Sequence, residues 1–237
     1  MKAVFFDMDG TLLPMDQDVF TREYFDALTK KMSAFGYEPK QLIDAIWKGT
    51  AAMVKNDGAK SNYDAFWETL CDIYGERIMN DVAHFDEFYN NEFVELKRFF
   101  GFDKRAGEIV KRLKDSGLKV VLASNPIFPA VAQMNRAKAA GVDADLFDCI
   151  TSYENSHYCK PNPDYYREIF SRLGVSAEDC LMVGNDVDED MIAREVGADV
   201  FLITGCVLNR NGKDIDAYPH GDFDSLSAYI DERKLTR

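Results

Sequence analysis

Four short clusters of polar residues are read at the ends of strands, which apolar runs buried on both faces mark. The first, Asp7-Met8-Asp9-Gly10-Thr11, carries two carboxylates two residues apart. On an extended chain that spacing sets both on one side, and Gly10 permits a sharp turn immediately after them. Two carboxylates held together can divide the labour. One stays ionised as nucleophile or metal ligand while the other carries a proton as general acid. The second cluster, Ser124-Asn125-Pro126, offers hydroxyl, amide and backbone N–H donors to phosphoryl oxygens. The third is Cys159-Lys160-Pro161-Asn162-Pro163, in which proline stiffens the chain around a point positive charge, Lys160. The fourth, Gly184-Asn185-Asp186-Val187-Asp188-Glu189-Asp190, gathers oxygen donors that suit a hard cation such as Mg2+. Singly, each has a plainer reading as a turn, a solvated loop or a helix start whose acids complement the dipole. Their joint occurrence argues for a site.

The runs that must position these clusters are Lys2–Asp7, Lys119–Ser124, Cys180–Gly184 and Asp199–Thr204, with a weaker fifth at Asp148–Thr151. Between them lie segments with apolar residues at helical spacing: Lys104–Ser116, Ala130–Ala140, Asp164–Leu173 and Asp188–Val196, each followed closely by glycine. This alternation predicts a doubly wound parallel α/β sheet, which binds ligands beyond the carboxyl ends of its strands. The stretch from about Gln17 to Phe100 holds no convincing strand and reads as all-helical, with helices expected over Tyr63–Tyr74 and Val82–Phe99. The predicted division is therefore an α/β core of residues 1–14 and 100–237 and a helical cap of residues 15–99. Joints near Pro14–Asp16 and Phe99–Gly101 would act as hinges if the cap opens for substrate and closes to exclude water. The cap aromatics Trp47, Phe66, Trp67, Phe85, Phe88 and Tyr89 are expected to pack helix against helix, with some facing substrate. Lys48, Lys55 and Asn56 are conceivable specificity contacts.

The formal net charge of −13 repels nucleic acid and anionic membrane at long range, so neither is an expected partner. A phosphate site on such a protein must be locally positive, and a bound divalent cation is a natural source of that charge. Five cysteines without a Cys-x-x-Cys pair fit a reduced, cytoplasmic setting. The opening Met-Lys-Ala-Val-Phe-Phe is too short for a signal peptide. His84, His157 and His220 lie far apart and are given no role.

The four clusters resemble the four motifs of the haloacid dehalogenase-like hydrolase superfamily, in family order. FFDMDGTLL is similar to the first motif, Ser124 to the second, Lys160 to the third and Asn185–Asp190 to the fourth. The helical insert resembles the cap that many members carry between the first and second motifs. The resemblance implies that Asp7 is the nucleophile and forms an aspartyl-phosphate. Asp9 is then the general acid that protonates the leaving group and afterwards activates water. Thr11 would orient Asp9, while Ser124, Asn125 and Lys160 hold the phosphoryl group. It also implies Mg2+ bound by Asp7, the backbone carbonyl of Asp9 and a side chain of the fourth motif. Many relatives have Gly-Asp where this chain has Gly184-Asn185, so the metal ligand is Asp186 or Asn185, with Asp186 favoured. Asp190 would orient the metal shell or Lys160. Asp9 points to phosphoryl chemistry, because the family's dehalogenases usually lack an acid there. Phosphonate hydrolysis would need an imine-forming cap lysine, and nothing marks Lys48 or Lys55 as one. The expected activity is a Mg2+-dependent phosphatase acting on a small phosphorylated metabolite. The alternatives are a phosphomutase or a non-catalytic binding protein of the same fold. Substrate identity and oligomeric state are not legible in the sequence.

Overall fold

A computed structural model describes residues 1–233 of the chain. Six parallel strands form one sheet in the order β3-β2-β1-β4-β5-β6. They are β1 (Ala3–Phe6), β2 (Lys119–Leu122), β3 (Cys149–Ile150), β4 (Cys180–Gly184), β5 (Asp199–Ile203) and β6 (His220–Gly221). The central strand β1 pairs Ala3 with Lys119 on one side and with Cys180 on the other. The chain builds outward from β1 to β2 and β3, then returns to the opposite side of β1 for β4. The order therefore reverses between β1 and β4, where open α/β sheets leave a crevice at the strand ends.

Both faces of the sheet are covered, which explains the unbroken apolar runs. Val4, Phe6, Val120, Leu122, Leu181 and Val183 point to one face. There they meet α5 (Lys104–Asp115), α6 (Ala130–Ala139) and α8 (Phe223–Glu232). Ala3, Phe5, Val121, Cys180 and Met182 point to the other, against Tyr165, Tyr166, Ile169 and Phe170 of α7 (Pro163–Leu173). Helix α7 starts where Asn162 caps the N–H of Asp164 and Pro163 takes the first turn. It stops at Gly174, whose φ of 65° is the left-handed C-terminal turn.

Between β1 and β2 run α1 (Gln17–Ser33), α2 (Pro39–Val54), α3 (Asn62–Tyr74) and α4 (Val82–Asn90), then a 3-10 stretch, Glu92–Phe99. Their apolar faces share one core with the sheet, through Phe20, Tyr24, Phe88 and Phe93. The two chain crossings into this helical region lie side by side. Met15 bridges Phe100, and the Gly101 N–H donates to the Pro14 carbonyl at 2.7 Å. Among the described residues, no helix is long and apolar enough to cross a membrane.

Three local expectations are corrected. A single helix over Val82–Phe99 is broken at Asn91, with φ −120° and ψ −83°. There the Asn90 and Asn91 side chains donate to the carbonyls of Asp86 and Glu87 and compete with helical bonds. The expected helix Asp188–Val196 shrinks to a 3-10 stretch, Met191–Val196. Its first residues instead fold around Asp186, whose Oδ1 accepts from the N–H groups of Asp188 and Glu189. Strand β6 was not expected, because two residues of mixed polarity leave no run to read.

Candidate active site

The carboxyl ends of β1, β2 and β4 and the loop before α7 bring the four clusters to one place. Asp7 continues β1, and its N–H donates to the Val183 carbonyl at 2.9 Å. The chain then reverses at Gly10, where φ is 85° and a side chain would collide with the Asn185 amide. Lys160 reaches in from the α7 side. Its Nζ lies 2.9 Å from Asp7 Oδ1 and 2.6 Å from Asp190 Oδ1. The lysine side chain is fully buried. Burial alone would push its pKa down, but Asp190 and Asp7 outweigh that and hold it well above the usual lysine value. It is therefore a fixed positive charge against the Asp7 carboxylate.

Asp190 has both oxygens engaged, Oδ1 by Lys160 and Oδ2 by the N–H of Asp186 at 2.9 Å. It pairs with Lys160 inside the fold, both side chains being buried. Asp186 Oδ2 accepts from Arg210 at 2.7 Å. Asn185 Nδ2 donates to the Cys206 carbonyl at 2.7 Å, and its Oδ1 accepts from Thr11 Oγ1 at 2.9 Å. The Thr11 hydroxyl has one proton to donate, and the next acceptor is Asp7 Oδ2 at 3.4 Å. The expectation that Thr11 orients Asp9 is thus not met: its hydroxyl ties the first turn to the fourth cluster. Ser124 is buried and lines the same cavity as Asp7, Asp9, Asn185 and Asp186. Its carbonyl is held by Thr151 Oγ1 at 2.7 Å and the Tyr165 hydroxyl at 2.9 Å. Asn125 lines the cavity too and donates to Glu189 Oε2 at 3.1 Å.

The group that holds Asp9 was missed by sequence reasoning. Arg136, from α6, pairs with Asp9 Oδ2 although the arginine side chain is only 1% exposed. Its other end donates to Gln133 Oε1 at 2.7 Å, and the guanidinium carbon sits 4.5 Å from the Phe128 ring centre. Asp9 Oδ1 is buried without a partner among the described residues. Burial pushes the Asp9 carboxyl up, Arg136 draws it back, and Asp7 adds to the rise, so the balance lies above the ordinary aspartate value. No signal in the sequence marks Arg136, since a lone arginine in an alanine-rich helix reads as a solvated surface residue.

The oxygen donors around Asp7 suit a hard cation in type. Among the described residues no three Asp, Glu, His or Cys side chains stand close enough to hold a metal by themselves. A cation here would rest on the carboxylates of Asp7 and Asp186 and on the Asp9 backbone carbonyl. No described residue hydrogen-bonds to that carbonyl. Water or phosphate oxygens would complete the shell, which is the common habit of Mg2+. On donor chemistry the residues fit.

A family model described as haloacid dehalogenase-like hydrolase matches residues 1–197. The chain belongs to this hydrolase family. A glyceraldehyde 3-phosphate phosphatase of Methanothermobacter thermautotrophicus is 26% identical over 225 residues, covering 91% of this chain and 94% of the relative. A phosphoglycolate phosphatase of Aliivibrio fischeri is 26% identical over 206 residues, covering 86% and 84%. Among solved structures, a haloacid dehalogenase-like phosphatase from Thermococcus onnurineus superposes with a TM-score of 0.59 at 19% identity, over 100% of both chains. That likeness is one of fold.

The side chains from the helices between β1 and β2 divide in two. Trp47, Phe66, Trp67, Phe85 and Tyr89 line the cavity above the carboxylates, whereas Phe88 lies in the core beside them. Lys48, Lys55 and Asn56 are not part of the cavity wall. Asn56 closes its own loop, donating to the Lys60 carbonyl and to Asn62 Oδ1, both at 2.9 Å. The histidines stay outside as well: His157 pairs with Glu168 and His84 stacks on Phe35.

Proposed function

We propose that the protein is a Mg2+-dependent phosphatase that hydrolyses a small phosphorylated metabolite through an aspartyl-phosphate on Asp7. The observation that carries this reading is the Asp7 carboxylate at the end of the central strand. Lys160 holds it by one oxygen, and it opens on a cavity shared with Ser124 and Asn125. In the proposed reaction an Asp7 oxygen attacks phosphorus, and the ester oxygen departs with the proton of the Asp9 carboxyl. The elevated proton affinity of Asp9 supports its role as that acid. Asp9, now a carboxylate, then takes a proton from water as the water oxygen attacks phosphorus. Inorganic phosphate leaves and Asp7 is regenerated. Lys160, Ser124 and Asn125 supply oriented donors for the phosphoryl oxygens and offset their charge. Mg2+, held by Asp7, the Asp9 carbonyl and Asp186, would neutralise charge that develops on the phosphoryl group.

Residues 15–99 are proposed as the cap, hinged where Met15 and Phe100 bridge, and the cytoplasm as the protein's setting. All five cysteines are free thiols, which supports a reducing compartment. Replacing Asp7 by Asn should abolish phosphate release from a panel of phosphate esters with Mg2+ while the circular-dichroism spectrum stays that of the wild type. Near-wild-type turnover in that variant would remove Asp7 as nucleophile.

A further inference from the structure

The cavity that opens from Asp7 and Asp9 continues between the helices and the sheet, with a volume of about 220 Å³. Every charged side chain on its wall, Arg210 included, comes from the strand-end loops of the α/β part. The helices contribute none. Their share of the wall is mostly apolar or aromatic, as with Phe25, Leu28, Ile46, Trp47 and Trp67, and the uncharged polar side chains among it are Gln17, Thr21 and Thr50 besides two phenols. The two phenols there, Tyr24 and Tyr89, bond each other at 2.9 Å and so offer little to a ligand hydroxyl. Burial pushes the Tyr24 phenol up to about 12, so it stays an uncharged group on the wall. Among the described residues, the one cation on the wall is Arg210, bound to Asp186 at the carboxylate end.

We infer that the substrate is a phosphate monoester whose leaving group is uncharged, apolar and about the size of one ring. This inference rests on the phosphatase reading and adds the leaving-group class to it. The size follows from the volume: a dry cavity of roughly 150 Å³ lined by apolar side chains accepts a benzene ring. The space here therefore accommodates one ring with a short linker to phosphate. The charge restriction follows from the wall. A leaving group that bears a carboxylate, as in phosphoglycolate, would bury an anion against the negative faces of aromatic rings with no counter-ion. A polyol chain such as that of glyceraldehyde 3-phosphate would exchange water's hydrogen bonds for those of Gln17, Thr21 and Thr50 alone on a wall that is otherwise apolar or aromatic. Aromatic rings, by contrast, gain edge-to-face contacts with Phe25 and Trp47, whose centroids already lie 5.4 Å apart.

The test compares kcat/KM with Mg2+ for benzyl phosphate, 2-phenylethyl phosphate, phosphoglycolate and glyceraldehyde 3-phosphate. The ring-bearing esters should lead by on the order of 100-fold. In a second arm, binding of benzylphosphonate and phosphonoacetate to the Mg2+-loaded protein is measured by calorimetry, independently of turnover, and benzylphosphonate should bind more tightly. In the variant Thr50→Arg, which brings a cation to the helical wall, the gap between benzyl phosphate and phosphoglycolate should narrow at least tenfold. Equal or better use of phosphoglycolate by the wild type would overturn the leaving-group assignment and leave the phosphatase reading intact. Tight benzylphosphonate binding without turnover of any ester would uphold the cavity's preference and sink the phosphatase reading. Phosphonoacetate binding as tight as benzylphosphonate would defeat the inference outright.

Discussion

Replacing Arg136 by methionine removes a charge while keeping much of the side-chain volume, and it isolates what the arginine does for Asp9. The guanidinium is 1% exposed and the Asp9 side chain 21%. Without Arg136, the Asp9 carboxylate stands near Asp7 with no cation of its own. Breaking a buried ion pair from one side costs about 3–5 kcal/mol. Asp9 keeps partial contact with solvent, so the lower end, about 3 kcal/mol, applies. In a chain of this length each kcal/mol moves Tm by about 2–4 °C, so the expected fall is about 6–12 °C. Asp9→Asn alone should also destabilise, because it leaves the buried guanidinium unpaired. The double variant Asp9→Asn with Arg136→Met carries neither charge and should recover part of the loss. The coupling energy between the two sites should be about 2 kcal/mol. Urea denaturation of the four proteins measures it. A coupling below about 0.5 kcal/mol would mean that the two groups do not depend on one another, and the account of how Asp9 is held would fall.

Lys160→Met should lower kcat by at least about 100-fold, since it removes the fixed positive charge at Asp7. It should also destabilise the fold, because Asp190 is then buried without its cation; steady-state kinetics and urea midpoints check both effects. Removing divalent cations with a chelator should abolish phosphate release, and added Mg2+ should restore it. Independently of activity, Mg2+ at about 100 times its Kd should raise unfolding stability by about 2.7 kcal/mol; an unchanged urea midpoint would count against a metal site here. Phe88→Ala should cost about 3–5 kcal/mol in the same denaturation assay, because this ring is fully buried where the helices meet.

The strand ends were the most legible part of the chain. Lys2–Asp7 and Cys180–Gly184 are apolar on both faces because the strands they mark are covered on both sides, and each run ends where its polar cluster begins. That coincidence marks Asp7, Ser124 and Asp186 as strand-end residues, whereas Lys160 follows no apolar run and comes in from the loop before α7. Side-chain partnerships were less legible. Arg136 meets Asp9 across 127 positions of sequence, and neither helical spacing nor composition records such a meeting. Thr11 followed the family pattern in position but not in partner, because the Asn185 amide offers a nearer acceptor than Asp9. Helical spacing marks the six aromatics of the helical region as packing residues, some of them facing substrate, and does not say which: five of the six line the cavity and Phe88 does not. A helical period registers that a side chain points inward, but not whether protein atoms or space lie beyond it.

Two glycines at the site, Gly10 and Gly184, limit how it can change. A methyl group at Gly184 would overlap the Asp190 carboxylate, and one at Gly10 would overlap the Asn185 amide. The turn after Asp7 and the acidic loop thus nest into gaps that a bare backbone leaves. Even alanine would wedge them apart, shifting Asp190 and, through it, the ammonium that steadies Asp7. Redesign toward a new substrate therefore has latitude only in the helical roof, while the floor beneath it tolerates almost nothing.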